Sequence, residues 1–324
     1  MKAVVYHRYG SPDVLEVEDI AKPVPGDDEV LIEIRAASVN PYDRAFMTGL
    51  PFFARIMTGL RKPKSSRLGV DVAGRVEAVG RNVTQLAPGD EVFGACRGAF
   101  AEYSCASESR VVRKPPNLTF EQAGAVTVAA MTALQALRDR GRIQPGQKVL
   151  INGASGGVGT FAVQLAKWLG AEVTGVCSTQ NVELVRSLGA DRVIDYIREN
   201  FTKRAERYDA ILDNIGNHSL LACRRVLKPK GTYLAVGGMP GRWISPLPRV
   251  IGMLILSRFV SQTLAICMTK STREHLTLLG ELLEAGKITP AIDRVYELRE
   301  IREAMQYLGG HHARAKVVIR MSSP

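Results

Sequence analysis

A glycine-dense turn, Gly153 to Gly159, follows an apolar run of strand length and precedes a helical period. Gly153, Gly156 and Gly159 recur at intervals of three residues, with Gly157 between them. Glycine permits a sharp turn, leaves no Cβ in the path of a pyrophosphate and lets a helix pack closely on a strand. The free N–H groups at the start of that helix attract phosphate. This order predicts a dinucleotide-binding unit; a plain glycine-rich turn is the alternative at this spacing.

The second strand of this unit, residues 172–177, ends in Ser178-Thr179-Gln180 and carries no carboxylate there. A carboxylate at that point would hold a ribose 2′-hydroxyl and repel a 2′-phosphate, whereas hydroxyl groups can donate hydrogen bonds to a phosphate. The sequence therefore favours NADPH as the cofactor. Ser178 and Thr179 also suit a simple helix cap, and the two roles are compatible.

Two further strand ends carry small or polar residues. Asn214 follows the strand predicted over 209–213, and Gly237 and Gly238 follow the strand predicted over 232–236. In parallel sheets, ligands lie beyond the carboxyl ends of the strands. We expect these residues to contact the cofactor, with ordinary turns as the alternative.

The elements that position these residues alternate between strand and helix over residues 147–269. Such alternation predicts a doubly wound parallel sheet. Residues 1–120 instead show short strands separated by turns, which is typical of a β-rich, partly open barrel. A good helix is predicted over 121–140 between the two regions. The strands predicted for the parallel sheet are 148–152, 172–177, 192–195, 209–213, 232–236 and 263–268.

Composition restricts the class of protein and its partners. The chain has 324 residues and a formal net charge of +11, but its basic residues are scattered and no aromatic platform interleaves them, so we expect no nucleic-acid partner. Five cysteines without a close pair indicate a reducing compartment rather than a disulfide framework. The most apolar segment, 250–256, is too short to span a bilayer. With no visible signal peptide, we expect a cytoplasmic protein without stable membrane insertion.

Several motifs together resemble the medium-chain dehydrogenase/reductase superfamily, and within it the zinc-independent quinone oxidoreductase (zeta-crystallin-like) branch. They run in the family's order along the whole chain. The resemblance implies a central Rossmann domain, residues 121–269, and a GroES-like catalytic domain built from residues 1–120 and 270–324. It also implies a homodimer. The motifs are residues 37–43, 68–76, 88–90, 131–137, the glycine turn, 188–191, 236–238 and 312–319.

The resemblance adds three residues to the predicted cofactor site: Thr132 near the nicotinamide, Tyr196 near the 2′-phosphate and Lys316 in the closing Lys-Val-Val-Ile motif. One departure concerns Gln180, since related NADPH-dependent members often carry a lysine there. The residues predicted to bind NADPH are Thr132, Ala154, Ser155, Gly156, Gly157, Val158, Gly159, Ser178, Tyr196, Asn214, Gly237, Gly238 and Lys316.

The same resemblance bears on metal binding. Zinc alcohol dehydrogenases of this superfamily place a cysteine in the loop where this chain has Asn40-Pro41-Tyr42-Asp43, and a histidine–glutamate pair where it has Val70-Asp71. Valine cannot ligate zinc, so we expect no metal. Without a metal to polarise an oxygen, hydride transfer requires an activated acceptor, namely a quinone or an α,β-unsaturated carbonyl.

Three residues of the Asn40-Pro-Tyr-Asp43 loop are catalytic candidates. Asn40 is predicted to orient the nicotinamide or to bond the substrate carbonyl. Asp43 supports the loop or caps the helix that begins there, and Tyr42 is either a proton donor or a packed ring. The segment 49–53 lacks the tyrosine that many relatives carry, which favours quinones. Alternatives are an enone or enoyl reductase, or a non-catalytic NADPH-binding scaffold or sensor. The apolar residues Phe52, Phe53, Ile56 and Met57 predict a hydrophobic acceptor, or a packed seam.

Overall fold

The computed structural model describes residues 1–52, 55–236, 247–310 and 313–321. The chain divides into two compact units: Met1–Met131 with Lys270–Pro324, and Thr132–Thr269. The strands are β1 (Lys2–Val5), β2 (Glu16–Asp19), β3 (Glu29–Val39), β4 (Asp71–Val79), β5 (Glu91–Ala95), β6 (Tyr103–Ser107), β7 (Val111–Arg113), β8 (Lys148–Asn152), β9 (Glu172–Cys177), β10 (Arg192–Asp195), β11 (Tyr208–Asp213), β12 (Leu227–Ala235), β13 (Thr263–Ile266), β14 (Ile292–Glu297) and β15 (Lys316–Arg320).

The helices are distributed over both units. They are α1 (Pro41–Thr48), α2 (Arg55–Thr58), α3 (Phe120–Gly124), α4 (Thr127–Leu134), α5 (Gly157–Trp168), α6 (Val182–Ser187), α7 (Leu220–Arg225), α8 (Leu247–Leu256), α9 (Arg273–Glu284) and α10 (Ile301–Gly309). No helix in the described part of the chain is both long and apolar enough to cross a bilayer.

The unit formed by residues 132–269 contains a parallel sheet. Among the described residues its strand order is β10-β9-β8-β11-β12-β13. The chain runs outward from β8 through β9 to β10, then returns to the other side of β8 with β11. Ligands in such sheets bind where the strand order reverses, beyond the carboxyl ends of the strands. That point lies between β8 and β11, where Asn152 is opposite Asp213.

The helix predicted over 121–140 is interrupted. It appears as α3, α4 and a π-helical stretch, Gln135–Arg140. Thr119 caps α3 by accepting a hydrogen bond from the Gln122 N–H. Gly124 ends α3 against β3, since a Cβ there would lie 3.1 Å from the Ala36 backbone. Close packing on the sheet therefore breaks a segment whose composition alone favours one continuous helix.

The other unit is built on a mixed sheet. In the described residues its order is β14-β15-β3-β4-β5-β7, and β6 also pairs with β3. β15 runs antiparallel to β3 with Val317 opposite Val39, and β3 runs antiparallel to β4 with Ser38 opposite Asp71. Three strands distant in sequence thus bring Lys316, Ser38 and Asp71 side by side. A large apolar core lies beneath them, including Val39, Met47, Val72 and Val317.

Candidate functional site

The glycine turn joins β8 to α5. Gly153 adopts a left-handed φ of +79°, and a Cβ on Gly159 would lie 2.1 Å from the Gly153 carbonyl oxygen. These two glycines are required by the fold itself. At Gly156, by contrast, a Cβ would meet no atom of the described residues closer than 3.6 Å. Gly156 is the N-cap of α5, and no side chain in the described part of the chain caps the helix there, so its first N–H groups are available to a phosphate.

A small polar group lies beside the turn. Asn181 Nδ2 donates to Ser155 Oγ at 3.2 Å and to Ser178 Oγ at 3.0 Å. Asn181 is buried, and its Oδ1 has no hydrogen-bond partner among the described residues. The Ser178 side chain makes no helix-capping bond, so the capping alternative is not observed. Asn181 is not predicted from the sequence, because a lone asparagine at a helix start gives little local signal.

The strand-order reversal carries a second unsatisfied acceptor. Asn214 Nδ2 donates to the Asn152 carbonyl at 3.1 Å, while the buried Asn214 Oδ1 has no hydrogen-bond partner in the part of the chain that the structure describes. Buried polar groups without a partner are rare in folded proteins. Asn181 and Asn214 therefore present acceptors that a hydroxyl or amino group of a ligand would satisfy. With the open turn at Gly156, they fit a dinucleotide.

Asp213 at the end of β11 anchors this edge. It accepts from Asn152 Nδ2 at 2.8 Å, from the Gly216 N–H at 2.8 Å and from the Tyr233 hydroxyl. Arg249 Nη2 lies 3.0 Å from Asp213, and Arg249 Nη1 donates to the Gly216 carbonyl at 2.8 Å. Burial and the neighbouring Asp213 raise the pKa of Tyr233. The turn after β11 is therefore held by Asp213, which accepts from the Gly216 N–H, and by Arg249, which donates to the Gly216 carbonyl.

The other residues of this unit that were predicted to bind the cofactor lie at separate places in the unit. Ala154 is buried and its N–H donates to the Val176 carbonyl at 3.0 Å. Tyr196 follows β10 and is largely exposed. Thr132 Oγ1 lies 2.7 Å from Thr269 Oγ1. Gly237 and Gly238 lie outside the described residues.

A buried polar cluster lies in the other unit. Lys316 Nζ donates to Asn40 Oδ1 at 2.7 Å and to Asp71 Oδ2 at 3.1 Å, and both charged side chains are at most 3% exposed. Asp71 also accepts from Ser38 Oγ at 2.6 Å and from the Val128 N–H at 2.8 Å. Asp71 was not among the predicted site residues, although a carboxylate entering an apolar strand after Val70 is a readable signal.

Asn40 is held inside this cluster. Its Nδ2 donates to the Ser38 carbonyl at 3.2 Å and to Asp71 Oδ2 at 3.1 Å. An amide has two hydrogens to donate, and both are engaged. Donation from Asn40 to a substrate carbonyl therefore requires that one of these bonds opens.

Asp43 forms the reciprocal cap of α1. Its Oδ2 accepts from the Asn40 N–H at 2.8 Å and its Oδ1 from the Gly69 N–H at 3.1 Å. Burial raises the pKa of Asp43 to about 7, opposed by these hydrogen bonds. Tyr42 is 54% exposed and its ring centroid lies 4.3 Å from that of Phe46. Asp43 thus supports the loop, and Tyr42 packs while keeping an exposed surface.

The predicted apolar rim is only partly described. The Arg55 guanidinium lies 4.7 Å from the Phe52 ring centroid, and Ile56 is strongly exposed. Phe53 and the side chain of Met57 lie outside the described residues. Within the residues that are described, no group of three or more histidine, cysteine, aspartate or glutamate residues is arranged to hold a metal ion.

Comparison with known proteins agrees with this architecture. Residues 26–116 match the family model of the alcohol dehydrogenase GroES-like domain, and residues 188–319 match that of the zinc-binding dehydrogenases. The chain is 35% identical to a 2-methylene-furan-3-one reductase of Solanum lycopersicum, across 98% of this chain and 79% of the relative.

Two solved structures are similar over almost their full lengths. The quinone oxidoreductase from Coxiella burnetii is 31% identical, with a TM-score of 0.88 and 99% coverage of both chains. The Escherichia coli quinone oxidoreductase complexed with NADPH is 25% identical, with a TM-score of 0.85, covering 99% of this chain and 100% of that one. These likenesses and the two sheets confirm the predicted fold class, a parallel Rossmann sheet with a GroES-like domain.

Proposed function

Because the chain belongs to the medium-chain dehydrogenase/reductase superfamily, in its quinone oxidoreductase branch, we propose that this oxidoreductase uses NADPH to reduce a small hydrophobic acceptor, a quinone or an enone. The observation that carries the proposal is the edge of the parallel sheet. There an uncapped helix start, an open Gly156 and two unsatisfied buried acceptors meet the needs of a dinucleotide.

Different residues of this sheet edge bind different groups of the cofactor. The first N–H groups of α5 receive the pyrophosphate, because Gly156 leaves room for it. Asn181 and Asn214 accept hydrogen bonds from its hydroxyl or amino groups. Ser178 donates toward the 2′-phosphate. The assignments of Thr132, Tyr196 and Lys316 rest on the family resemblance alone, and those of Gly237 and Gly238 rest on their place after a predicted strand of the parallel sheet.

When bound, NADPH supplies a hydride, and the chain's own part is binding, orientation and exclusion of water. The Lys316–Asp71 pair fixes the Asn40 amide, and Asp43 fixes the loop that carries Tyr42. Val70 cannot bind zinc, so we propose a reaction without the metal named in one of the matching family models. An acceptor whose conjugation spreads the developing charge suits such a site.

Quinones and enones are both retained as acceptor classes. The enone class is favoured by the name of the tomato relative, which describes a methylene group conjugated to a ketone. The quinone class is favoured by the two quinone oxidoreductase structures and by the absence of a tyrosine in segment 49–53. In this proposal the protein acts as a homodimer in the cytoplasm.

The first experiment tests the cofactor site through Gly156→Ala. The added methyl group meets no atom of the described residues closer than 3.6 Å, so the fold should tolerate it, while a pyrophosphate over the turn should be displaced. We expect the Kd for NADPH, measured by calorimetry, to rise about tenfold or more, which is about 1.4 kcal/mol of binding free energy. Gly280→Ala in α9 is the matched control, because a Cβ there meets nothing within 3.9 Å.

An unchanged Kd in Gly156→Ala would refute binding over the turn. The second experiment follows NADPH oxidation with parallel panels of quinones and enones. Turnover of either class supports the proposal. Tight NADPH binding without turnover of any acceptor would favour the non-catalytic scaffold instead.

A further inference from the structure

A negative charge lies next to the end of β9, although the sequence of β9 itself ends without a carboxylate. β9 and β10 pair in parallel, with Cys177 opposite Asp195, so Asp195 ends at the same edge of the sheet. Thr179 Oγ1 donates to Asp195 Oδ2 at 2.6 Å. A carboxylate from the neighbouring strand therefore lies beside the residues proposed to receive the 2′-phosphate. Left alone, it would favour a ribose hydroxyl and repel a phosphate.

Arg198 forms an ion pair with the Asp195 carboxylate. Its Nε lies 3.4 Å from Asp195 Oδ2, the same oxygen that Thr179 contacts. Arg198 Nε and Thr179 Oγ1 are therefore no further apart than the sum of those two distances. The Arg198 side chain is 78% exposed, so its guanidinium is open to an incoming anion.

Nearby arginines are engaged elsewhere. Arg186 pairs with Glu183 at 2.8 Å, and Arg204 pairs with Glu199 at 2.7 Å. Arg192 pairs with Glu206 at 3.2 Å and lies at the opposite end of β10 from Asp195. Among these, Arg198 is the arginine whose ion-pair partner also bonds Thr179.

We propose that Arg198 is the residue that selects NADPH over NADH: it neutralises Asp195 and binds the 2′-phosphate with the positive charge that Gln180 does not provide. The inference rests on the proposed function, since it concerns the same cofactor edge. A guanidinium suits this task because it can pair with two phosphate oxygens at once. Asp195 holds the guanidinium near Thr179 and, without Arg198, turns the site toward NADH.

The test compares binding of NADPH, NADH, 2′,5′-ADP and 5′-AMP by calorimetry, so that it does not depend on turnover. We expect Arg198→Gln to raise the Kd of NADPH and of 2′,5′-ADP about tenfold or more. The Kd of NADH and of 5′-AMP should change about twofold or less. Arg192→Gln is the matched control, because it removes the same charge at the start of β10, whereas Arg198 follows the end of that strand.

The double variant Asp195→Asn/Arg198→Gln identifies the source of the effect. Removing the carboxylate as well should recover the part of the loss that comes from repulsion by Asp195, so the double variant should bind NADPH more tightly than Arg198→Gln and more weakly than the wild type, which keeps the guanidinium contact. Equal weakening of NADPH and NADH in Arg198→Gln, or no weakening of either, would overturn the inference while leaving the proposed function intact. Failure of the wild type to bind any dinucleotide would overturn the proposed function itself, and this inference with it.

Discussion

Replacement of Lys316 by methionine tests the buried cluster most directly. Methionine keeps most of the length of the side chain and removes the ammonium, which bonds Asn40 and Asp71. The Asp71 carboxylate, fully buried, then loses its counter-charge but keeps donors from Ser38, Asn40 and Val128. Breaking a buried ion pair from one side costs about 3–5 kcal/mol. Because three donors remain, we expect Lys316→Met to lie at the lower end, about 3 kcal/mol.

The reverse change should cost more. In Asp71→Asn the buried Lys316 ammonium keeps its bond to Asn40 but loses its opposite charge, so we expect about 5 kcal/mol. The double variant buries neither charge, and it should be less destabilised than the sum of the single variants by about 2 kcal/mol or more. Arg320→Met removes an exposed pair with Glu297 at the far end of β15, and should cost at most about 1 kcal/mol.

The assay is native-state hydrogen exchange, read by mass spectrometry on peptides that cover β3 and β15. It reports the free energy of opening of these strands, and does not require the whole chain to unfold in one step. Additive single variants, with a coupling below about 0.5 kcal/mol, would show that Lys316 and Asp71 do not interact as the structure places them.

Three further expectations follow from other contacts. Burial raises the pKa of Asp43 from 3.8 to about 7, so protonation of Asp43 stabilises the fold below pH 3.8, and this stabilisation is lost as pH rises through about 7. The variant Asp43→Asn should flatten the pH dependence of the unfolding midpoint. Parallel curves for the wild type and the variant would contradict this expectation. Arg249→Met should cost about 3 kcal/mol and speed amide exchange at Gly216, since Arg249 pairs with Asp213 and bonds that turn; unchanged exchange would count against it. Dialysis against a chelator should leave reductase activity unchanged, because position 70 is valine; stoichiometric zinc in elemental analysis would contradict this.

The parallel sheet was predictable because each strand carries its own local signal, and all six predicted strands appear among the described residues. The boundaries of β12 were not, since Pro229, Lys230 and Gly231 suggest a turn. In the structure β12 begins at Leu227 and passes through this segment, with Lys230 at a φ of +62° and a register shift against β11. The turn preference of residues 229–231 is therefore realised inside β12: the pairing with β11 moves from Leu227 opposite Tyr208 to Thr232 opposite Ala210, and the residues between them form a bulge.

The candidate site divides in the same way. The glycine turn was found because all of its residues are consecutive. The cluster around Lys316 joins β3, β4 and β15, and its members meet only through strand register. The resemblance drew attention to Asn40 and Lys316 singly; their shared partner, Asp71, required the sheet.

Cofactor preference in a parallel sheet is decided by the whole edge rather than by one strand end. The rule that a carboxylate after the second strand selects NADH rests on negative charge near the ribose. Neighbouring strands are only about 4.7–4.9 Å apart, so a charge on the adjacent strand acts at the ribose as well. Asp195 is opposite the last residue of β9 and reaches Thr179. A sequence that lacks the carboxylate on β9 can therefore still supply one from β10. In our proposal for this chain, the sign of the electrostatic field at the ribose depends on whether Arg198 balances Asp195. A change in either residue should then alter cofactor preference without any change at Ser178.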